Sequence, residues 1–104
     1  MRRRGDTLDV FYSRIGDAPE RILHSTVDCS RPWLEWEATD PVAVLKPERE
    51  WEGADEPVEP SRAGAVSERV CQLRDPGVYR EDGSTYLLYS VAGKRGIAVA
   101  EVID

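Results

Sequence analysis

Hydrophobic and polar residues alternate over several short stretches of this chain, which is typical of β-strands. Four or five residues separate most of these stretches, and Gly, Pro and Asp are common between them. The segments predicted to be extended are Thr7–Ile15, Glu20–Asp28, Trp33–Ala38, Pro41–Leu45, Arg74–Tyr79, Thr85–Val91 and Gly96–Ile103. No long stretch has the apolar spacing of an amphipathic helix. The sequence therefore predicts an all-β protein.

Two of these strand pairs are predicted hairpins. Gly16–Pro19 separates the first two strands, and Glu81–Ser84 contains the Asp-Gly pair that favours a tight hairpin turn. Between the hairpins, Glu48–Ser67 is rich in acidic residues, Pro and Gly. A connection of that length within a small domain is usually functional or disordered.

The chain contains an internal repeat. Residues 8–16 read LDVFYSRIG and residues 85–93 read TYLLYSVAG, so each apolar strand ends in Tyr-Ser-x-x-Gly and a second strand follows. A strand at Arg74–Tyr79 precedes the second copy, whereas Met1–Asp6 predicts no strand before the first. Two copies of one β-sheet unit are therefore expected, at residues 7–47 and 68–104, joined by an acidic loop at 48–67.

Composition narrows the possible partners. The 104 residues include 14 basic and 20 acidic side chains, giving a formal net charge of −6. An acidic surface repels phosphate backbones, so nucleic acid is not an expected partner. Arg2–Arg4 resembles the start of a signal peptide, but no apolar segment follows, and no run is long enough for a membrane helix. We expect one small cytoplasmic domain that does not contact membranes.

Cysteine and histidine are too few for most site chemistries. The chain has two cysteines, Cys29 and Cys71, and one histidine, His24. Neither cysteine has a metal ligand at short spacing, and two cysteines do not make a disulfide framework. The sequence predicts no metal site and no cofactor.

The second repeat unit resembles a known family. It resembles one blade of the five-bladed β-propeller glycosidases. The segments that carry the resemblance are Arg74–Tyr79, the acidic-Gly turn at Glu81–Ser84, Tyr86–Ser90 and Gly96–Ala100. That superfamily includes arabinanases, β-xylosidases, invertase-like enzymes and mannoside phosphorylases. The stretches at Phe11–Ile22 and Trp51–Asp55 resemble the preceding blade. The resemblance implies about two incomplete blades of a propeller, glycoside hydrolase or phosphorylase ancestry, and an incomplete active site.

Asp75 is the first candidate catalytic residue. In the resembled fold it would begin an innermost strand that lines the substrate channel, and Pro76 would hold it extended. Arg74 would then bind another acid or a substrate hydroxyl. The alternative is an ordinary turn aspartate, with Arg74 in a surface ion pair.

Glu52 and Asp55 form the second candidate group. Glycosidases use two carboxyl groups about 5 to 9.5 Å apart, and Glu52 is the second catalytic candidate. Asp55 is a candidate substrate ligand, and Trp51 could stack on a sugar ring. The alternative is that these acids are simply solvated.

His24 is the remaining candidate substrate ligand. Its predicted strand position allows it to donate to a sugar hydroxyl or to carry a proton. The alternative is a histidine whose hydrogen bonds are satisfied within the sheet.

Two functions are compatible with these patterns. The first is a glycosidase-like fragment that binds carbohydrate and is inactive as an isolated chain. The second is a small non-catalytic β module that binds a glycan or a protein. In either case, exposed sheet edges predict a homo-oligomer.

Overall fold

The computed structural model of the protein describes residues 1–59, 61, 69–93 and 96–102. The strands are β1 (Arg2–Arg4), β2 (Thr7–Tyr12), β3 (Ile22–Asp28), β4 (Val42–Leu45), β5 (Leu73–Glu81), β6 (Ser84–Val91) and β7 (Gly96–Val102). Two single-turn 3-10 helices span Trp33–Glu35 and Glu50–Glu52. The described residues contain no α-helix, so the predicted all-β class is confirmed.

The strands form two antiparallel sheets in which neighbours along the chain are neighbours in the sheet. The first sheet has the order β1-β2-β3-β4 and the second has the order β5-β6-β7. Both predicted hairpins are present as β2–β3 and β5–β6. Asp82 and Gly83 connect β5 to β6 with φ angles of 50° and 81°. Both residues therefore have the left-handed backbone conformation that a type I′ two-residue hairpin turn requires.

Two sequence predictions about secondary structure were wrong. The residues before Thr7 do form a strand, since β1 pairs with β2 in the register Arg2↔Asp9 and Arg4↔Thr7. Three consecutive arginines show no alternation, and it is pairing with β2 that makes them extended. Trp33–Ala38 begins as a 3-10 helix instead of a strand.

The two sheets pack against each other through one face of each. Ile22 of the first sheet is buried in one cluster with four residues of the second sheet, namely Leu73, Leu87, Tyr89 and Val91. Along β6, buried and half-buried residues alternate strictly. The second sheet therefore has an inner face toward the first sheet and an outer face on the opposite side.

A buried ion pair joins the sheets beside this core. Glu20 precedes β3 and Arg74 lies in β5; their side chains are 3% and 5% exposed, and Arg74 Nε is 3.1 Å from Glu20 Oε1. The Leu73 backbone N–H also donates to the Glu20 carbonyl at 2.8 Å, and Ser13 Oγ donates to Glu20 Oε2. Glu20 thus fixes the position at which β5 begins.

The acidic connection is anchored to the rest of the described chain at several points, among them Gly53 and Ser61. Gly53, with φ 91°, packs so closely on the Val70 carbonyl that a methyl group there would overlap it. Ser61 Oγ accepts from the Gly16 N–H, which ties the connection to the turn after β2. Residues 60 and 62–67 of the predicted loop lie outside the described residues.

Gly53→Ala is expected to destabilise the protein more than Gly16→Ala. Both glycines have left-handed φ angles, 91° and 98°, but nothing lies within 4 Å of a methyl group added at Gly16. The conformational cost alone is about 1 to 2 kcal/mol, and the overlap with Val70 should add about 1 to 3 kcal/mol at Gly53. Urea unfolding of both variants measures the difference. Equal losses would contradict the close packing at Gly53.

Candidate functional site

Asp75 lies in a distorted part of β5. The pairing of β5 with β6 shifts register between Arg74 and Gly77, which places a β-bulge at Asp75 and Pro76. Asp75 has φ 52° and an exposed side chain. The prediction that Pro76 holds it extended was therefore wrong, because the bulge imposes a left-handed conformation. Aspartate tolerates that conformation better than most residues, and bulges commonly re-aim a side chain beside a functional site.

The backbone at this bulge is held from two sides. Ser90 Oγ donates to the Arg74 carbonyl at 3.0 Å, directly before Asp75. On the other side, the Arg74 side chain forms the buried ion pair with Glu20. Arg74, a predicted substrate ligand, is thus only 4% exposed and binds an acid within the protein. Its alternative interpretation as half of a surface pair was wrong.

An open cleft lies next to Asp75. It has a volume of about 410 Å³ and is lined by Asp75, Gly77, Leu88, Tyr89, Ser90 and Ile97. Leu88, Ser90 and Ile97 belong to the outer face of the second sheet, since Ser90 pairs directly with Ile97. The cleft therefore combines one exposed carboxylate with mainly apolar walls. Such a combination suits a neutral ligand that carries both hydroxyl groups and C–H surface.

Glu52 is buried rather than exposed to this cleft. Its side chain caps its own 3-10 helix: Oε1 accepts from the backbone N–H groups of Glu48 and Arg49 at 3.1 and 3.0 Å. Oε2 accepts from the Tyr89 hydroxyl at 3.4 Å, and burial together with this carboxylate raises the pKa of Tyr89. Tyr89 is thus common to the Glu52 contacts and to the Asp75 cleft. The contacts of Glu52 are those of a structural carboxylate, and its catalytic role stays a prediction.

Trp51 and Asp55, the neighbours of Glu52, are not joined in one site by the described contacts. Trp51 is 53% exposed on the 3-10 helix. Asp55 forms an ion pair with Arg69 at 2.7 Å, and this arginine holds the pKa of the carboxyl below its usual range. Arg69 also binds Glu56 at 2.7 Å. Asp55 therefore links the acidic connection to Arg69, which follows it in the chain. Its role toward a ligand stays a prediction.

His24 belongs to a different cluster, on the face of the first sheet that packs toward the second. Its Nε2 lies 2.8 Å from Oδ1 of Asp9, and its ring centroid lies 5.0 Å from that of Phe11. Nε2 of His24 thus has a hydrogen-bond partner within the sheet, on the neighbouring strand β2. Its role toward a ligand stays a prediction.

Asp9, which the sequence did not single out, is the centre of this cluster. Its side chain is fully buried. It accepts one hydrogen bond from Nε of Arg4 at 2.6 Å and another from Nε of Arg2 at 3.0 Å. Arg4 first, then His24 and Arg2, hold the pKa of Asp9 far below its usual range, against the opposing effect of burial. The signal in the sequence was an acid within an apolar strand, three residues before Tyr12.

This cluster borders a cavity of about 320 Å³ between the sheets. The cavity is lined by Arg2, Arg4, Asp9, Phe11, His24, Val44 and Val102. It lies on the face of the first sheet that the second sheet covers, whereas the Asp75 cleft lies on the outer face of the second sheet. The predicted substrate ligand His24 and the predicted catalytic residue Asp75 are therefore in separate sites.

The part of the chain that the structure describes has neither a metal-binding cluster nor a membrane-spanning helix. No group of three or more His, Cys, Asp or Glu side chains there is arranged to hold a metal ion. None of the helices in that part is long and apolar enough to cross a membrane.

Comparison with known proteins identifies a viral relative. An uncharacterized protein of Acanthamoeba polyphaga mimivirus is 41% identical over 101 residues, which cover 96% of this chain. The chain spans only 28% of that protein's length. No family model matches the chain, and no solved structure is significantly similar to it.

Asp9→Asn is expected to lower the free energy of unfolding at pH 7 by about 3 kcal/mol, because it removes the carboxylate that faces two guanidinium groups, one of them buried. The pKa of Asp9 is lower in the folded chain than in the unfolded chain. The contribution of the ionised Asp9 to the free energy of unfolding is therefore complete above the unfolded-state pKa of about 3.9. It is lost progressively as the pH falls below that value. Urea unfolding at several pH values should show the gap between wild type and variant narrowing between about pH 4 and pH 2.

Asp40→Asn provides the control for this prediction, because Asp40 is exposed. That substitution should change the free energy of unfolding by less than about 0.5 kcal/mol. A gap between wild type and Asp9→Asn that stays constant with pH would contradict the assignment of Asp9 as an ionised, stabilising group.

Proposed function

We propose that this chain is part of a glycosidase-like five-bladed β-propeller and contributes Asp75 to a carbohydrate-binding site. In this proposal β1–β4 form one blade, and β5–β7 form the first three strands of the next. The isolated chain binds a glycan weakly and lacks a complete catalytic site. Hydrolysis or phosphorolysis would belong to a longer protein.

The arrangement of the sheets supports the propeller. Propeller blades are antiparallel meanders, typically of four strands, that pack face to face around an axis. The first sheet is a four-stranded meander, and the second is a three-stranded meander packed on one of its faces. The repeat occupies equivalent places, since Tyr12 ends β2 and Tyr89 lies near the end of β6. The viral relative, more than three times as long as this chain, has room for additional units of this kind.

The observation that carries the site is the setting of Asp75. Its carboxylate is exposed at a bulge, in a conformation that costs about 1 to 3 kcal/mol when a non-glycine residue adopts it. Such strain is concentrated at functional sites, and here Ser90 and the buried Arg74 hold the backbone in place. An exposed carboxylate can accept hydrogen bonds from sugar hydroxyls, while Leu88 and Ile97 offer apolar contact to the C–H face of a ring.

The same geometry supports binding more directly than catalysis. Glycoside hydrolysis needs a second carboxyl group about 5 to 9.5 Å from the first. The oxygens of Glu52 already accept hydrogen bonds from the backbone and from Tyr89. These contacts favour a structural role for Glu52 over a catalytic one, and in this proposal another part of a longer protein supplies the second catalytic carboxylate.

A second candidate function is a non-catalytic module that binds a protein. The observation that favours it is the outer face of the second sheet, where Tyr79, Ile97 and Val99 are 51%, 78% and 60% exposed. Large exposed apolar patches mark interaction surfaces. Carbohydrate binding that depends on Asp75 distinguishes the first function from the second.

Asp75→Asn is expected to weaken binding of a short arabinan, xylan or mannan oligosaccharide at least tenfold, because a hydrogen bond to a charged group contributes about 1.5 to 3 kcal/mol. Titration of each oligosaccharide into ¹⁵N-labelled protein, followed by NMR, measures the affinity. The largest changes in amide chemical shift should occur at residues that line the Asp75 cleft.

Asp82→Asn is the matched control. Asp82 is also an exposed aspartate with left-handed φ, 50° against 52°, but it lies in the β5–β6 turn. This variant should bind as wild type does. The proposal would be contradicted if no oligosaccharide shifted the cleft residues, or if both variants lost affinity equally.

A further inference from the structure

The connection between β3 and β4 exposes three large apolar side chains. Trp33, Leu34 and Trp36 are 72%, 78% and 42% exposed, and they lie within or directly after the Trp33–Glu35 helix. Tryptophan side chains are highly buried on average and are enriched at the energetic centres of protein interfaces. Two exposed tryptophans so close together therefore indicate a binding surface.

Hydrogen bonds constrain the backbone of this connection. At its base, the Thr39 N–H donates to the Thr26 carbonyl and the Thr26 N–H donates to Oγ1 of Thr39, both at 2.9 Å. Nearer its tip, Nε1 of Trp36 donates to the Arg31 carbonyl at 2.7 Å. Because the apolar side chains are presented by an ordered backbone, less conformational entropy is lost when a partner binds.

The same connection contains an acidic depression. Its volume is about 300 Å³, and it is lined by Asp28, Arg31, Glu35 and Glu37. Hydrogen bonds from the hydroxyl and N–H of Ser30 hold the pKa of Asp28 below its ordinary value, so this carboxyl is ionised at neutral pH. One guanidinium and three carboxylates give the lining a formal charge of −2. The complementary ligand group is a cation.

We propose that the β3–β4 connection binds a segment of another protein in which arginine alternates with apolar residues. A guanidinium can form two hydrogen bonds to a carboxylate and can also stack on an indole ring. The apolar residues of such a segment would cover Trp33 and Leu34. One ligand thus matches both the excess of carboxylates and the exposed indoles. This inference does not rest on the proposed carbohydrate function.

Other ligands match this surface less well. A nucleic acid, or a second copy of this chain with its formal net charge of −6, would bring like charges together. A neutral glycan could stack on the tryptophans but would gain nothing from the excess negative charge. The charge of the depression therefore favours a basic protein segment.

The location of the connection leaves it accessible beside packed sheets. The two sheets pack through their faces, and Ile22, at the start of β3, lies in the core between them. The connection leaves β3 after Asp28, about 20 Å along the strand from Ile22. Further sheets that packed in the same way would cover sheet faces and not this connection.

Titration of the ¹⁵N-labelled chain with the hexapeptide acetyl-Leu-Arg-Leu-Arg-Leu-Arg-amide, followed by NMR, tests the proposal. The largest shift changes should occur at residues 28–37, and a peptide with glutamate in place of each arginine should not bind. Trp33→Ala should weaken binding of the arginine peptide about tenfold. This substitution leaves the net charge of the chain at −6, so nonspecific attraction between opposite charges would not be affected.

Trp51→Ala is the matched control. Trp51 is 53% exposed and also lies in a single-turn 3-10 helix, between Glu50 and Glu52. This variant should bind the arginine peptide as wild type does. Glu35→Gln should weaken binding several-fold, whereas Glu50→Gln, which makes the same change in charge at another exposed glutamate, should not.

Circular dichroism checks that each variant is folded. Three results would overturn the proposal: no shift changes at residues 28–37, equal binding of the glutamate peptide, or equal losses of affinity in the two tryptophan variants or in the two glutamate variants. Shift changes of Trp33 and Trp36 with a xylan oligosaccharide and not with the arginine peptide would also overturn it, and would identify a glycan-binding surface instead.

Discussion

The contact between Glu20 and Arg74 is the constraint on which the positions of the other features depend. Both side chains are almost completely buried, and the Leu73 N–H binds the Glu20 carbonyl beside them. A buried charge that loses its partner costs about 3 to 5 kcal/mol, so each group effectively requires the other. Because Arg74 directly precedes Asp75, the contact that joins the sheets also sets where the candidate carboxylate emerges. The site is thus a consequence of how the two sheets meet.

The two repeat units present different chemistry on equivalent faces. Counting back from Tyr12 and Tyr89, Phe11 corresponds to Leu88, and Asp9 corresponds to Tyr86. In the first sheet this face is covered by the second sheet, and the buried Asp9 is neutralised there by arginines. In the second sheet it is the outer face, where large apolar side chains are exposed. The difference in burial is the physical reason why one face carries an ion-pair cluster and the other can receive a ligand or a partner.

Much of the fold could be predicted from local patterns, but the environment of single residues could not. Alternation located six of the seven strands, and Asp82-Gly83 identified the second hairpin turn. β1 was missed because Arg2–Arg4 has no pattern of its own and becomes a strand through Asp9 on its neighbour. Asp75 was correctly placed in a strand, yet its conformation follows from a bulge that the pairing with β6 imposes. The buried Glu52 carboxylate accepts a hydrogen bond from Tyr89, 37 residues away, and no local pattern could indicate that contact.

Methyl NOE spectroscopy on the isotopically labelled chain tests the stacking of the two sheets most directly. Ile22 and Leu73 come from different sheets and are both fully buried in the shared core. The structure predicts strong NOEs between their methyl groups, together with the cross-strand NOEs of each sheet. Cross-strand NOEs without any contact between Ile22 and Leu73 would show two independent sheets, and would contradict the account of how Asp75 is positioned.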